Sequence, residues 1–112
     1  MLLLTLALPA LPAQDNSPAG RGFQRDLLRQ LVEIDSTVAF GSTQAAEAMA
    51  ARLRTAGFPE YDIILAGPRP GKQNLVVRLR GKGDGKPILL IAHLDVVDAP
   101  KDGWAAGLDP FR

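Results

Sequence analysis

A histidine and an aspartate two positions apart follow the most apolar run of the sequence. The run ILLIA occupies residues 88–92, and His93 and Asp95 come shortly after it. Because side chains alternate along a β-strand, His93 and Asp95 point the same way while Leu94 points the opposite way. A neutral imidazole is a good ligand for a borderline divalent metal, and a carboxylate beside it can fix its tautomer and orient the ring. The spacing therefore predicts a metal ligand at His93, with Asp95 as an acid that either orients the imidazole or takes part in catalysis.

A single histidine is nevertheless a weak signal for a metal site. His93 is the only histidine of the chain, which has no cysteine, and a catalytic zinc takes about three protein ligands. The remaining ligands would have to be carboxylates, and the nearby candidates Asp98, Asp102 and Asp109 also suit loop or turn positions. A lone histidine at a strand end is more often a hydrogen-bonded structural residue, so this alternative stays open.

Two helices are predicted upstream of the site. Apolar residues recur at helical spacing over residues 23–34. A second helix begins at Ser42 or Thr43, either of which can cap the free N–H groups. It ends at Gly57, which suits the left-handed position after a helix and lets Phe58 fold back on the last turn. The inner face of this helix is small enough to lie close to a sheet and comprises Ala46, Met49, Ala50 and Leu53.

Three strands are predicted after the helices. Residues 61–66 are short and apolar, and residues 74–80 alternate in the manner of an antiparallel strand with one solvated face. The glycine-rich run 81–86 predicts a hairpin turn into a third strand over residues 88–92. That strand is apolar throughout, which is typical of a strand covered on both faces.

The third strand has no predicted cover on its downstream side. A strand of this kind needs neighbours on both edges and helices above and below it. Nothing after Ala92 has the pattern of a helix or of a long strand. The sequence therefore predicts an α/β fold of which these 112 residues form an incomplete portion.

The first residues have the composition of an export signal. Residues 1–13 are uncharged and rich in leucine, and they are too few to span a bilayer as a helix. They predict a secretory signal peptide cleaved after Ala13, a linker over residues 14–22, and a periplasmic or secreted protein. A buried strand or helix is disfavoured there by two prolines, Pro9 and Pro12.

The charge balance limits the classes of binding partner that the sequence predicts. The chain has 13 basic and 12 acidic residues and a net charge of +1. It therefore offers no electrostatic reason to expect nucleic acid, or a membrane after signal cleavage, as a partner.

Five runs of the chain form a specific combination within residues 23–112. In chain order they are LVEIDST (31–37), AEAMAARLRTAGF (46–58), NLVVRLRG (74–81), AHLDVV (92–97) and WAAGLDPF (104–111). Together they resemble zinc metallopeptidase family twenty, which includes glutamate carboxypeptidase, aminoacylase, acetylornithine deacetylase and succinyl-diaminopimelate desuccinylase. The first two runs look like helices of that family, and the third looks like the strand before its metal strand. The fourth looks like its metal-strand block, and the fifth looks like the Trp and Asp-Pro-Phe sequence that follows it.

The resemblance implies that residues 23–112 are the N-terminal portion of a mixed-sheet, three-layer catalytic domain. It implies that His93 binds one of two zinc ions and that Asp95 is the catalytic-site acid that orients and polarises His93. The other metal ligands and the glutamate base of the family have no counterpart here and would lie beyond Arg112. The implied reaction is hydrolysis of peptide or N-acyl amino-acid amide bonds by an exported carboxypeptidase or dipeptidase, and a homodimer through a further domain is compatible with it.

Two other functions stay open. The chain could be a non-enzymatic remnant that acts as a binding or structural module, or an α/β hydrolase-like domain in which His93 is structural. Because most of the implied ligands are missing, we expect the 112-residue chain alone to have no peptidase activity and at most weak zinc binding.

Overall fold

The fold comprises two helices followed by a small sheet. The computed structural model describes residues 17–83 and 85–110, and the signal peptide predicted for residues 1–13 lies outside them. The elements in chain order are α1 (Pro18–Glu33), α2 (Thr43–Thr55), a 3-10 turn (Glu60–Asp62), β1 (Ile63–Ala66), β2 (Asn74–Val77) and a second 3-10 turn (Lys101–Gly103). This arrangement has the mixed α/β character that the sequence predicted.

Helix α1 begins earlier than predicted. Residues 14–22 were expected to form a linker, but the structure places the first helical residue at Pro18. The Ser17 hydroxyl accepts a hydrogen bond of 3.0 Å from the Gly20 N–H, and proline at the first helical position has its φ angle already set for a helix. This cap extends the helix beyond its apolar pattern, so the linker prediction is wrong from residue 18 onward.

Helix α1 contacts α2 through an arginine. The Arg52 guanidinium lies 5.8 Å from the centroid of the Phe23 ring, and its Nε donates a hydrogen bond to Gln30 Oε1. No residue of α1 is buried. The apolar stripe of α1 is therefore only partly covered by the described residues.

The end of α2 confirms the predicted glycine cap. Gly57 has a φ of 89°, its N–H donates to Arg54 O, and the Phe58 N–H donates to Leu53 O, each at 3.0 Å. These two bonds form a Schellman motif, which satisfies carbonyls that the last turn leaves free. The buried face of the helix is built from Ala45, Ala46 and Ala50, and small side chains there let the helix lie close to the sheet.

The sheet has two antiparallel strands in the described part of the chain. Ile63 pairs with Val77 and Ala66 pairs with Asn74. Both strands are shorter than predicted, because residues 60–62 form a 3-10 turn and β2 ends at Val77. The antiparallel geometry predicted for residues 74–80 is confirmed where the two strands pair.

The third predicted strand is not formed. Residues 88–92 have no regular secondary structure, and no described strand pairs with them. The predicted hairpin through residues 81–86 is therefore wrong for the structure. A strand exists only where a neighbour accepts its hydrogen bonds, and the described residues supply no such neighbour. Ile88 and Leu90, 87% and 88% exposed, are left in solvent.

Two loops approach each other closely beside α2. Gly41, which has a φ of 79°, lies against Gly71, and a Cβ built on Gly41 would sit 2.0 Å from the Gly71 carbonyl oxygen. The Ser42 hydroxyl donates to Gln73 O at 2.9 Å, and the Thr43 hydroxyl donates to Pro70 O. These contacts hold the start of α2 to the loop that leads into β2.

A buried carboxylate lies at the start of β1. The Asp62 side chain is 2% exposed and faces the Arg80 guanidinium, with Nη2 at 2.7 Å from Oδ1 and Nε at 2.8 Å from Oδ2. A paired geometry of this kind offsets part of the cost of burying the charge. The hydrogen bonds from Arg80, together with its charge, lower the pKa of Asp62.

No helix among residues 17–83 and 85–110 is long and apolar enough to cross a membrane.

Substitution of Gly41 is expected to destabilise the fold. Gly41→Ala would place a Cβ against the Gly71 carbonyl at a left-handed φ, so we expect a loss of at least about 2 kcal/mol in the free energy of unfolding. Gly22→Ala is the control: it lies inside α1 with open space around it, and it should stabilise the chain by about 0.5–1 kcal/mol. Urea unfolding followed by circular dichroism measures both, and equal effects would contradict the close approach.

The stability of the chain is expected to fall in acid through Asp62. Its pKa is lower in the folded state, so the stabilisation is complete above the unfolded pKa of about 3.9 and is lost as the pH falls through the folded value. Glu60, whose pKa is lowered by its hydrogen bonds from Arg54, contributes with the same sign.

Urea unfolding near pH 6 and near pH 3 measures this dependence. Asp62→Asn should reduce the difference in unfolding free energy between the two pH values. The exposed Asp102 supplies the control, Asp102→Asn, which should leave that difference unchanged. An unaltered pH dependence in Asp62→Asn would show that the buried pair does not contribute as described.

Candidate functional site

The candidate site lies on a segment that the loop after α1 holds in place. The Ser36 hydroxyl donates to Leu94 O at 2.7 Å, and the Val96 N–H donates to Ser36 O at 3.3 Å. Ser36 is 2% exposed, whereas Val96 is 44% exposed, so the bonds are shielded from water on the Ser36 side. They fix residues 94–96 against the helical part of the chain.

An apolar cluster supports the same segment from the side. Trp104 and Val96 line a cavity of about 230 Å3 together with residues from the end of α1, namely Leu31, Val32 and Ile34. The Lys101 ammonium reaches Asp109 Oδ2 at 3.1 Å and closes the loop between them. Trp104 therefore lies beside the end of α1, and it stays 47% exposed.

His93 and Asp95 lie side by side. The His93 Nδ1 is 3.6 Å from Asp95 Oδ1, and the two side chains are 85% and 71% exposed. Leu94, between them, is half-buried. The structure thus brings together the two residues that the alternation pattern placed on one face, and neither is sealed in an apolar pocket.

The hydrogen bond of the imidazole determines which nitrogen can bind a cation. His93 Nδ1 lies 2.8 Å from the backbone carbonyl oxygen of Asp95. Because a carbonyl oxygen only accepts, Nδ1 carries the proton, and Nε2 of the neutral ring keeps its lone pair. The backbone of Asp95 orients the ring, while its carboxylate adds a nearby negative charge without a direct hydrogen bond.

The carboxylates proposed as further ligands do not gather around His93. Asp109 is paired with Lys101, Asp102 lies in the second 3-10 turn, and Asp98 is exposed. Among residues 17–83 and 85–110, no group of three or more His, Cys, Asp or Glu side chains is placed to hold a metal ion. The described residues therefore offer one imidazole and one neighbouring carboxylate, which is fewer than a catalytic zinc needs.

Ser36 was not identified as a site residue from the sequence. It lies directly after the helix predicted for residues 23–34, where serine is common and indicates no specific function. The only available signal was a run of three small polar residues, Asp35 to Thr37, directly after the helix. That Thr37 and Ser36 are buried, and that Ser36 reaches a segment 58 residues away, is visible only in the structure.

The chain matches no family model, no curated protein and no solved structure. The chemistry proposed for the site therefore rests on its own residues and on the sequence resemblance.

Loss of the Ser36 hydroxyl is expected to loosen the segment that carries His93 and Asp95. Ser36→Ala removes the bond to Leu94 O, at a cost of about 1 kcal/mol, so exchange of the Val96 amide hydrogen should become about fivefold faster. Ser42→Ala is the control, since it removes a hydroxyl bond to Gln73 on the other loop. An unchanged exchange rate of the Val96 amide in Ser36→Ala would show that the Ser36 hydroxyl bond does not hold the segment in place.

Proposed function

We propose that the chain is the N-terminal portion of an exported zinc-dependent amide hydrolase similar to metallopeptidase family twenty. The observation that carries the proposal is the geometry of His93, whose Nδ1 is held by Asp95 O at 2.8 Å. This leaves Nε2, on an imidazole that is 85% exposed, as the atom that can bind a metal. The sequence runs on both sides of this residue resemble the same family.

His93 would hold one of two zinc ions through Nε2, and Asp95 would orient and polarise the imidazole. Zinc, when bound, supplies Lewis-acid polarisation of the amide carbonyl and activation of a water molecule. Asp95 keeps the ring in the required tautomer through its carbonyl and places a negative charge 3.6 Å from Nδ1. That negative charge increases the basicity of the imidazole as a ligand, which makes Nε2 a better donor to a metal ion. Ser36 keeps both residues on a fixed segment.

The rest of the proposed site would come from polypeptide beyond Arg112. By the resemblance, the chain lacks the pair of glutamates, one of which is the general base. It also lacks the other metal ligands. The substrate would be a peptide or an N-acyl amino acid, and the domain would have three layers. The exposed apolar residues 88–91 support this architecture, because a central strand in such a layer is covered on both faces. Residues 1–13 would direct the protein to the periplasm or outside the cell.

The first part of the test is zinc binding by the 112-residue chain itself. Long-range 15N spectra should show His93 protonated at Nδ1, and added zinc should shift the Nε2 resonance. His93→Ala should abolish zinc binding detected by calorimetry. Asp95→Asn should weaken it, by up to about tenfold, while Asp102→Asn should leave it unchanged. A histidine protonated at Nε2, or zinc binding that survives His93→Ala, would contradict the ligand assignment.

The second part is hydrolysis of dipeptides and N-acyl amino acids by the chain extended along its own reading frame. Activity should disappear with a chelator, return with zinc, and be lost in His93→Ala, because removal of one ligand opens the metal site. The 112-residue chain alone should be inactive. Turnover by that chain, or full activity of the extended His93→Ala variant, would refute the proposed function.

A further inference from the structure

A continuous apolar segment of the chain has no hydrogen-bonded neighbour. Residues 88–91 are between 80% and 88% exposed. Within the described residues, no backbone–backbone hydrogen bond involves positions 85–92. Four adjacent large apolar side chains with free backbone groups are a template for pairing with another strand.

The Ser36 contacts leave one edge of this segment free. Leu94 O and Val96 N, which belong to alternate residues, both bond to Ser36. In a β-strand the N–H and C=O groups of alternate residues point to the same edge. The opposite edge therefore presents the backbone groups of residues 89, 91, 93 and 95. Of these, Asp95 O already accepts the His93 Nδ1–H and keeps its second lone pair for a neighbour. Proline, which cannot donate, lies at position 87 and so outside this set.

The same segment is self-complementary when it is reversed. The even-numbered residues place a lysine at one end, an aspartate at the other, and only apolar residues between them: Lys86, Ile88, Leu90, Ala92, Leu94, Val96 and Asp98. Two antiparallel copies centred on Ala92 place Ile88 opposite the second copy's Val96. They also place each Lys86 opposite the second copy's Asp98. Directly opposed residues lie on the same face of a sheet, so the two ion pairs close the two ends of one apolar face.

We infer that two copies of the 112-residue chain associate through antiparallel pairing of residues 88–96, with Ala92 on the two-fold axis. We assign the free edge to a second copy because the segment carries both members of the end ion pairs, Lys86 and Asp98. A net charge of +1 also leaves little overall repulsion between copies. In this register Leu89 pairs with Asp95, and Ile91 pairs with His93, through the edge that Ser36 leaves free. The inference does not use the proposed zinc chemistry. It concerns the 112-residue chain, in which residues 88–91 lack the cover that the proposed function would give them in a longer polypeptide.

Charge reversal tests the register. Sedimentation equilibrium should show a dimer of the 112-residue chain. Lys86→Glu and Asp98→Lys should each weaken the dimer by about tenfold, since each removes two ion pairs and creates two like-charge contacts. The double variant restores both pairs and should return to within about threefold of the parent. Arg25→Glu and Glu47→Lys make the same charge changes on exposed helix positions and should not alter the dimer.

Amide exchange gives a second readout that misfolding would not imitate. In the dimer, the amides of Leu89, Ile91, His93 and Asp95 should be protected, and this protection should increase with protein concentration. The amides of Ile88 and Leu90 point to the other edge and should exchange as in the monomer. A chain that stays monomeric at millimolar concentration would overturn the inference. So would open aggregates insensitive to Lys86→Glu, or a double variant no tighter than the single ones.

Discussion

The contact between Ser36 and residues 94–96 is the interaction on which the rest of the candidate site depends. It joins the loop after α1 to a segment that no strand pairs with, through one hydroxyl bond and one backbone bond. Without it, His93 and Asp95 would lie on a segment that, within the described residues, adjoins α1 only around the cavity lined by Val96 and Trp104. The same bonds decide which edge of the segment is occupied and which is free, so they govern both the metal proposal and the dimer proposal.

The features predicted correctly from the sequence are those with a local physical cause. The glycine cap of α2 follows from the left-handed conformation that Gly57 adopts easily. The antiparallel strand at Asn74 follows from its alternating side chains. His93 and Asp95 lie side by side as expected, 3.6 Å apart, although the segment that carries them is not a strand of the sheet. Whether this pair binds a metal depends on partners that local spacing does not supply.

The features that could not be predicted depend on distant partners. The apolar run 88–92 has strong strand character, yet a strand requires a hydrogen-bonded neighbour, and none is present among the described residues. The start of α1 is an exception, because it depends on a local hydroxyl cap, Ser17 followed by Pro18, that apolar spacing does not report. Ser36 and Thr37 were indistinguishable from other polar residues after a helix, because burial is set by what packs on them and not by their own type.

Asp62 makes the small sheet resistant to slippage. Its backbone carbonyl accepts a hydrogen bond of 3.0 Å from the Arg78 N–H. Its carboxylate accepts hydrogen bonds from Nε and Nη2 of Arg80. Arg78 and Arg80 both follow β2 directly. A shift of β1 along β2 would therefore break the backbone bond and leave the buried Asp62 carboxylate without its positive partner. Strands of four residues rarely define their own alignment. Here a single polar residue at the end of the paired strands favours one alignment of β1 with β2, because any other alignment would cost free energy of folding.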